Sequence, residues 1–319
     1  MSVDTDIFYV IIILYIPISE RKNFHMQEYV MGNGAIALGA LAAGVNLVAG
    51  YPGTPSSEIL ETISKYRHDG VYIEWSVNEK AAMEVAAAAA YSGARAMVTM
   101  KQVGLNVAAD PLMSLAYVGV KGGMVIVSAD DPGPISSQTE QDTRRFADFC
   151  RIPVFDPSSP EEAYKMIGEA FEYSEKYNTP VLFRPTTRVC HAYASIDNCD
   201  SPSPKKYEGF VKDSKKWVIF PRLSFANHIM IEKRNVEIGN DFSTYSANKA
   251  EGGNSEKAVV TSGISYAYTK ECLKDYPDVK LIKIATAYPF PEDFVLSSLE
   301  GTKEVPVSYT HLTLPTNPR

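Results

Sequence analysis

From Met26 to about Ile196, short apolar runs alternate with helical stretches, and this alternation narrows the fold to layered α/β before any motif is weighed. Residues 46–51, 71–77, 95–100, 123–128 and 181–184 read as strands. Helices are expected over 56–66, 79–91, 107–118 and 159–177. The helix over 79–91 carries Ala at seven of the ten positions 81–90, a composition of high helix propensity that lets a neighbouring backbone approach closely. The last helix begins with Ser159 and Pro160, has Glu161 and Glu162 in its first turn, and sets Ala163, Ile167, Ala170 and Phe171 on one stripe. Apolar residues make up 45% of the chain and charged residues 22%, enough to fill a core of this kind.

A Pro/Ser-containing stretch after Asn198 and the Gly252-Gly253-Asn254-Ser255 run bracket a mixed-charge segment that reads as a linker. Residues 259–263, 266–273 and 279–284 then begin a second α/β unit. The 319 residues are expected to divide into 1–25, an extension that is possibly not native; 26–197, the first domain; 198–254, the linker; 255–306, the start of a second domain; and 307–319, a tail. The eleven-residue apolar run 8–18 is too short to span a bilayer as a helix, and Asp4 and Asp6 precede it where a signal peptide would be positive. It reads as upstream sequence, with an edge strand as the alternative. The tail looks like read-through of a sequencing adaptor, which would make the chain a fragment.

Lys and Arg total 31 against 38 Asp and Glu, a net charge of −7 that disfavours nucleic acid and anionic membrane as partners. Cys150, Cys190, Cys199 and Cys272 are too scattered for a ligand set and too few for a disulfide scaffold, so no metal site is expected within the chain and a reducing, cytoplasmic setting fits.

Three strand-end loops hold the functional signal, because open α/β sheets bind ligands beyond the carboxyl ends of their strands. The first, Tyr51-Pro-Gly-Thr-Pro-Ser-Ser57, turns through two prolines and a glycine into a helix, and it reads either as a binding loop or as an ordinary βα turn. In the second, Glu74-Trp-Ser-Val-Asn-Glu79, Glu79 opens the next helix, where an acid often only complements the dipole, although Val77, Ala81 and Ala82 offer it apolar neighbours. The third is Lys101-Gln-Val-Gly-Leu-Asn106, with Gly104 permitting close approach. Gly32-Asn-Gly34 imitates a dinucleotide fingerprint but lacks the preceding strand and the trailing acid, and it reads better as a helix start packed on the sheet.

These loops, with Ser128-Ala-Asp-Asp-Pro-Gly133, Ser136-Ser-Gln-Thr-Glu-Gln-Asp142, Arg184-Pro-Thr-Thr-Arg188 and Thr261-Ser-Gly-Ile-Ser265, resemble the thiamine-diphosphate-dependent 2-oxoacid:ferredoxin oxidoreductases. The likeness runs from about Met26 to Phe294 and is greatest to the indolepyruvate-type alpha (large) subunits. It implies a doubly wound parallel sheet of the thiamine-diphosphate-binding type, the pyrimidine-binding domain, followed by a transketolase C-terminal-like α/β domain. It implies oxidative decarboxylation of aryl 2-oxo acids such as indolepyruvate to aryl-acyl-CoA, with coenzyme A as co-substrate and ferredoxin as electron acceptor. A small beta subunit would complete a hetero-oligomer. A pyruvate-type enzyme, and a noncatalytic pyrimidine domain that completes a partner's site, stand as alternatives.

By the same resemblance Glu79 is the carboxyl group beside N1′ of the aminopyrimidine, and Thr54, Gly104 and Asn106 contact the cofactor. Gly53, Thr54, Gln102 and Arg188 line the substrate, with Arg188 a candidate for a carboxylate or a subunit contact that reads equally well as a structural ion pair. The family's Gly-Asp-Gly segment for Mg²⁺ and diphosphate and its [4Fe–4S] cysteines do not occur in these residues, so both sites fall outside the fragment, which is expected to be inactive alone. Two departures bear on specificity: histidine is common in the family where this chain has Gln102, and near Ile135. Where relatives acting on small 2-oxo acids have isoleucine, this chain has Gly53, which would open room for an aryl ring unless the glycine merely serves a left-handed turn.

Overall fold

The computed structural model describes residues 26–310 apart from 68, 199–202 and 254–255. The readings of residues 1–25 and 311–319 lie outside the described residues. In chain order the first unit comprises β1 (Met26–Met31), α1 (Gly32–Ala42), β2 (Leu47–Gly50), α2 (Ser57–Tyr66), β3 (Tyr72–Trp75), α3 (Glu79–Tyr91), β4 (Ala96–Lys101), α4 (Gln102–Val107), α5 (Ala109–Val118), β5 (Met124–Ala129), α6 (Thr143–Cys150), β6 (Val154–Phe155), α7 (Pro160–Tyr177), β7 (Val181–Phe183), α8 (Thr187–His191) and β8 (Tyr193–Asn198). Six strands form a parallel sheet in the order β3-β2-β4-β5-β7-β6, the doubly wound architecture expected from the βα alternation. Its central strands β4 and β5 are almost wholly buried, as strands covered by helices on both faces must be.

The local signals read from the sequence account for most of these elements. Ser159 caps α7 by accepting from the Glu162 N–H, Pro160 occupies the first turn, and Ala163, Ile167, Ala170 and Phe171 are buried along one stripe. Asn78 caps α3 in the same way, through the Ala81 N–H at 2.8 Å. The start of α1 follows directly on β1, where the sequence reading found no strand, and its close contact is with α8: a Cβ at Gly32 would lie 1.9 Å from the Val189 carbonyl oxygen, so this glycine serves backbone contact.

Other features depart from the sequence reading. The strand-end segment 101–106, expected as a loop, is mostly α4, and the helix expected over 107–118 begins at Ala109. Pro111 is compatible with that restart because a first-turn residue needs no intrahelical N–H donor. β1 and β8 form an antiparallel pair away from the main sheet, a long-range pairing that local periodicity does not report.

Most of the segment read as a linker is ordered secondary structure. It holds α9 (Ser214–Trp217) and α10 (Pro221–Ser243), and α10 buries Ile231, Asn235, Ile238 and Phe242 at helical spacing. Exposed Phe225, Met230 and Val236 blur that stripe in the sequence. The second unit follows with β9 (Lys249–Glu251), β10 (Ala258–Ser262), α11 (Ile264–Cys272), β11 (Lys280–Ile284), α12 (Glu292–Ser298) and β12 (Val307–Ser308), its sheet ordered β12-β10-β11-β9. Ile264 and Ala285 of this unit join the core of the first, in which Phe155 packs edge-on against Phe242 of α10 and Tyr245 just after it, at 5.5 and 5.6 Å between ring centroids. Backbone bonds from Val154 N–H to the Tyr288 carbonyl and from Asp156 N–H to the Ala285 carbonyl, both 2.7 Å, join the units as well. Among the described residues no helix is long and apolar enough to cross a membrane.

Candidate active site

Strand order alone gathers the three loops. Because β2 lies between β3 and β4, the segments that leave the carboxyl ends of these strands are neighbours: residues 51–56, 76–79 and 101–104.

The loop after β2 is tightly tied. Tyr51 N–H donates to the Thr99 carbonyl at 3.2 Å, Ser56 N–H and hydroxyl both donate to the Gly53 carbonyl at 2.9 and 3.0 Å, and Gly53 N–H donates to the Ser57 hydroxyl at 2.9 Å. Asn33 of α1, wholly buried, clamps the loop from beneath by donating to the Pro55 carbonyl at 2.6 Å and to Glu58 at 2.8 Å. On this fixed loop Thr54 is exposed, and its hydroxyl has no hydrogen-bond partner among the described residues.

Glu79 is the first residue of α3 and is buried at 9% exposure, yet its carboxylate has neither a hydrogen-bond nor an ion-pair partner among the described residues. Its oxygens are not among the fully enclosed unpartnered atoms of the described residues, so the carboxylate keeps an opening to solvent through which a ligand could reach it. Gly104 of α4 lies directly against it: a Cβ there would come 2.5 Å from Oε1 and 2.7 Å from Cγ of Glu79. Neighbouring acids differ. Glu74 accepts from the Ser76 and Tyr72 hydroxyls at 2.5 and 2.6 Å, bonds that hold its pKa below the usual carboxylate value, and Glu84 is exposed. Of these three carboxylates, only Glu79 is both buried and uncommitted. Val77 does not wall it as the sequence reading supposed: it is 84% exposed, and the cover comes from α4.

Gly104→Ala is therefore expected to push the Glu79 carboxylate aside or shift α4. Any turnover that depends on Glu79 should fall at least tenfold while the melting temperature changes little, because the clash is with a side chain at the edge of the core. Steady-state kinetics and thermal denaturation of the same preparation check this.

The other sequence-derived positions divide by placement. Gln102 is wholly buried and donates to the Thr139 carbonyl at 3.3 Å, with Oε1 unpartnered, so it ties α4 to the loop after β5. Asn106 is exposed at the far end of α4. Arg188 is exposed on α8 and has no ion-pair partner among the described residues. Gly53 does not adopt a positive φ, so the left-handed-turn alternative falls. Nor does its missing side chain leave a void: a Cβ there would lie 2.9 and 3.1 Å from Cδ and Cγ of Lys101. The space is filled by the lysine stem.

Beyond β5, β6 and β7 lies a second group of charges. Arg184, 1% exposed, donates from Nε to Asp130 at 2.7 Å and from Nη1 to Asp156 at 3.2 Å. Asp130 also accepts from the Thr143 N–H and hydroxyl. Burial pushes the Asp130 pKa up against the pull of Arg184, whereas Asp156 and Asp130 hold the Arg184 guanidinium charged despite its own burial. Burial alone would also raise the Asp131 pKa, but the Ser136 N–H and the Thr187 hydroxyl outweigh it and hold the carboxylate low. These groups fasten the 130–142 loop and are structural. Sequence reading missed this role, as it missed those of Asn33 and Lys101; the available signal for Asn33 was a lone amide at the start of an otherwise small and apolar helix.

Residues 38–238 match the family model described as pyruvate flavodoxin/ferredoxin oxidoreductase, thiamine diphosphate-binding. The chain belongs to that family. Among its relatives, the indolepyruvate oxidoreductase subunit IorA of Thermococcus kodakarensis is 43% identical over 284 residues, which cover 86% of this chain and 44% of that subunit. The chain thus spans less than half the length of that relative. The 2-oxoglutarate synthase subunit KorA of Methanocaldococcus jannaschii is 28% identical over 87% of each chain. The fold matches a solved 2-oxoglutarate:ferredoxin oxidoreductase from Magnetococcus marinus with a TM-score of 0.72 at 17% identity, covering 88% of this chain and 57% of that one. Membership gives the site a cofactor to be tested against. The aminopyrimidine of thiamine presents ring nitrogens, and a buried carboxylate lacking a donor beside a glycine that leaves room for it fits such a ring.

Proposed function

We propose that this chain forms part of the alpha subunit of a thiamine-diphosphate-dependent indolepyruvate:ferredoxin oxidoreductase, with residues 26–197 as its pyrimidine-binding domain and 255–306 opening the transketolase C-terminal-like domain. The observation that carries the reading is the unpartnered, buried carboxylate of Glu79 against Gly104. Identity of 43% to an indolepyruvate oxidoreductase subunit supports the aryl substrate.

Bound thiamine diphosphate supplies the carbon nucleophile that adds to the 2-oxo group of the substrate. The residues of this chain orient and protonate. Glu79 would hold a proton at N1′ of the aminopyrimidine, and Gly104 leaves the room that the Glu79 carboxylate occupies. The Thr54 hydroxyl would border the cofactor and substrate and Gln102 fixes α4 behind it, while Asn106 and Arg188, both exposed, are offered as cofactor and substrate contacts on the family resemblance. Mg²⁺, the diphosphate contacts, the [4Fe–4S] clusters, coenzyme A and ferredoxin are assigned to the rest of the complex, which includes a small beta subunit.

The likeness to a KorA subunit over 87% of its length favours a second reading, in which a similar chain serves a 2-oxoglutarate enzyme. One assay separates them. The complete complex, supplied with coenzyme A and a viologen acceptor, is expected to show thiamine-dependent turnover with kcat/KM at least tenfold higher for indolepyruvate than for pyruvate or 2-oxoglutarate. A higher value for 2-oxoglutarate would replace the aryl assignment, and turnover without thiamine diphosphate would overturn both.

A further inference from the structure

We propose that Lys101 binds the carboxylate of the 2-oxo acid, with Gly53 as the residue that positions it. This rests on the oxidoreductase reading above. It does not depend on the substrate's side chain, because every 2-oxo acid carries that carboxylate.

Lys101 ends β4 immediately before α4. Three residues on, Gly104 touches Glu79, and residues three apart at a helix start lie roughly 5–6 Å from each other. The lysine therefore rises from the same turn that covers the Glu79 carboxylate. Its stem rests on Gly53, and its ammonium donates to the Ser136 carbonyl at 3.3 Å. These contacts, one from the loop after β2 and one from the loop after β5, aim the charge between the two loops.

No ion pair neutralises the ammonium among the described residues. Other cations of the same α/β unit are committed: Lys80 pairs with Asp110 at 2.8 Å, Arg144 with Asp142 at 2.8 Å, and Arg184 with Asp130 and Asp156. Arg188, also without an ion pair among the described residues, is exposed, and no hydrogen bond holds its side chain. An ammonium with a single carbonyl partner, carried on a half-buried stem, is the better carboxylate receptor, since less conformational freedom is lost on binding. Gly53 then has a reason other than ligand volume. Any Cβ at position 53 displaces the stem and with it the charge.

The test uses the complete complex and two neutral-versus-charged probes, indole-3-propionate and its primary amide, as inhibitors against indolepyruvate. Wild type should bind the carboxylate 10–100-fold more tightly than the amide. Lys101→Met should erase that preference and raise KM for the 2-oxo acid 10–100-fold, with kcat changed less than about fivefold. Lys101→Arg should restore at least part of the preference. Gly53→Ala should show a weaker version of the Lys101→Met effect, and the double variant should be little worse than Lys101→Met alone, because both act through one contact. A carboxylate preference that survives in Lys101→Met overturns the proposal and moves the role to Arg188; so does Gly53→Ala adding fully to Lys101→Met for the positioning role. If the wild-type complex turns over another 2-oxo acid instead, the aryl reading fails while the Lys101 assay proceeds with that acid, its saturated analogue and the matching amide.

Discussion

Glu79→Gln in the complete enzyme is expected to lower kcat about 10²–10⁴-fold, the usual scale for a positioned acid–base group. Glutamine keeps the size and the hydrogen-bonding shape of the side chain, so the Gly104 contact and the capped start of α3 should survive. What is lost is the ability to hold and return a proton at the ring nitrogen. The defect should therefore persist at saturating thiamine diphosphate, and exchange of the thiamine C2 proton, followed by NMR after acid quench, should slow in parallel. Near-normal kcat would refute the assignment. Glu74, already bonded to two hydroxyls, and exposed Glu84 are poor replacements, so such a result would place the proton relay outside this loop cluster.

The second large effect concerns stability. Arg184→Met should destabilise the chain by about 3–5 kcal/mol, because removing one partner of a buried ion pair strands the others. Asp130 and Asp156 are both fully buried, and each would lose its contact with the guanidinium. The loss should show as a large drop in denaturation midpoint by circular dichroism. It should also loosen the 130–142 loop, since Asp130 holds Thr143 at the start of α6. Arg188→Met, four positions along and exposed, is the control and should shift stability by no more than about 0.5 kcal/mol. A shift for Arg184→Met as small as the control's would mean that the two aspartates take up protons or water at little cost.

Much of the architecture was written in short-range pattern. The apolar runs and the capped, striped helix α7 specify parallel βα units because periodicity and capping act over a few residues, and the α3 boundaries fell where the sequence placed them. Thr54, Glu79 and Gly104 could be singled out because each follows a strand end, where such sheets present their loops. Tertiary structure decided the rest. That Glu79 is covered by Gly104 rather than by Val77, that 102–107 is helical, and that α10 is no linker all depend on contacts between residues far apart in the chain. Gly53 shows the division most clearly. Its presence in a conspicuous loop was legible, but its meaning was not, since neither a φ angle nor the neighbour in the Cβ direction is encoded locally. Only the packing of β4 beside β2 brings the Lys101 stem over it, and that juxtaposition turns a missing side chain into a seat for a charge.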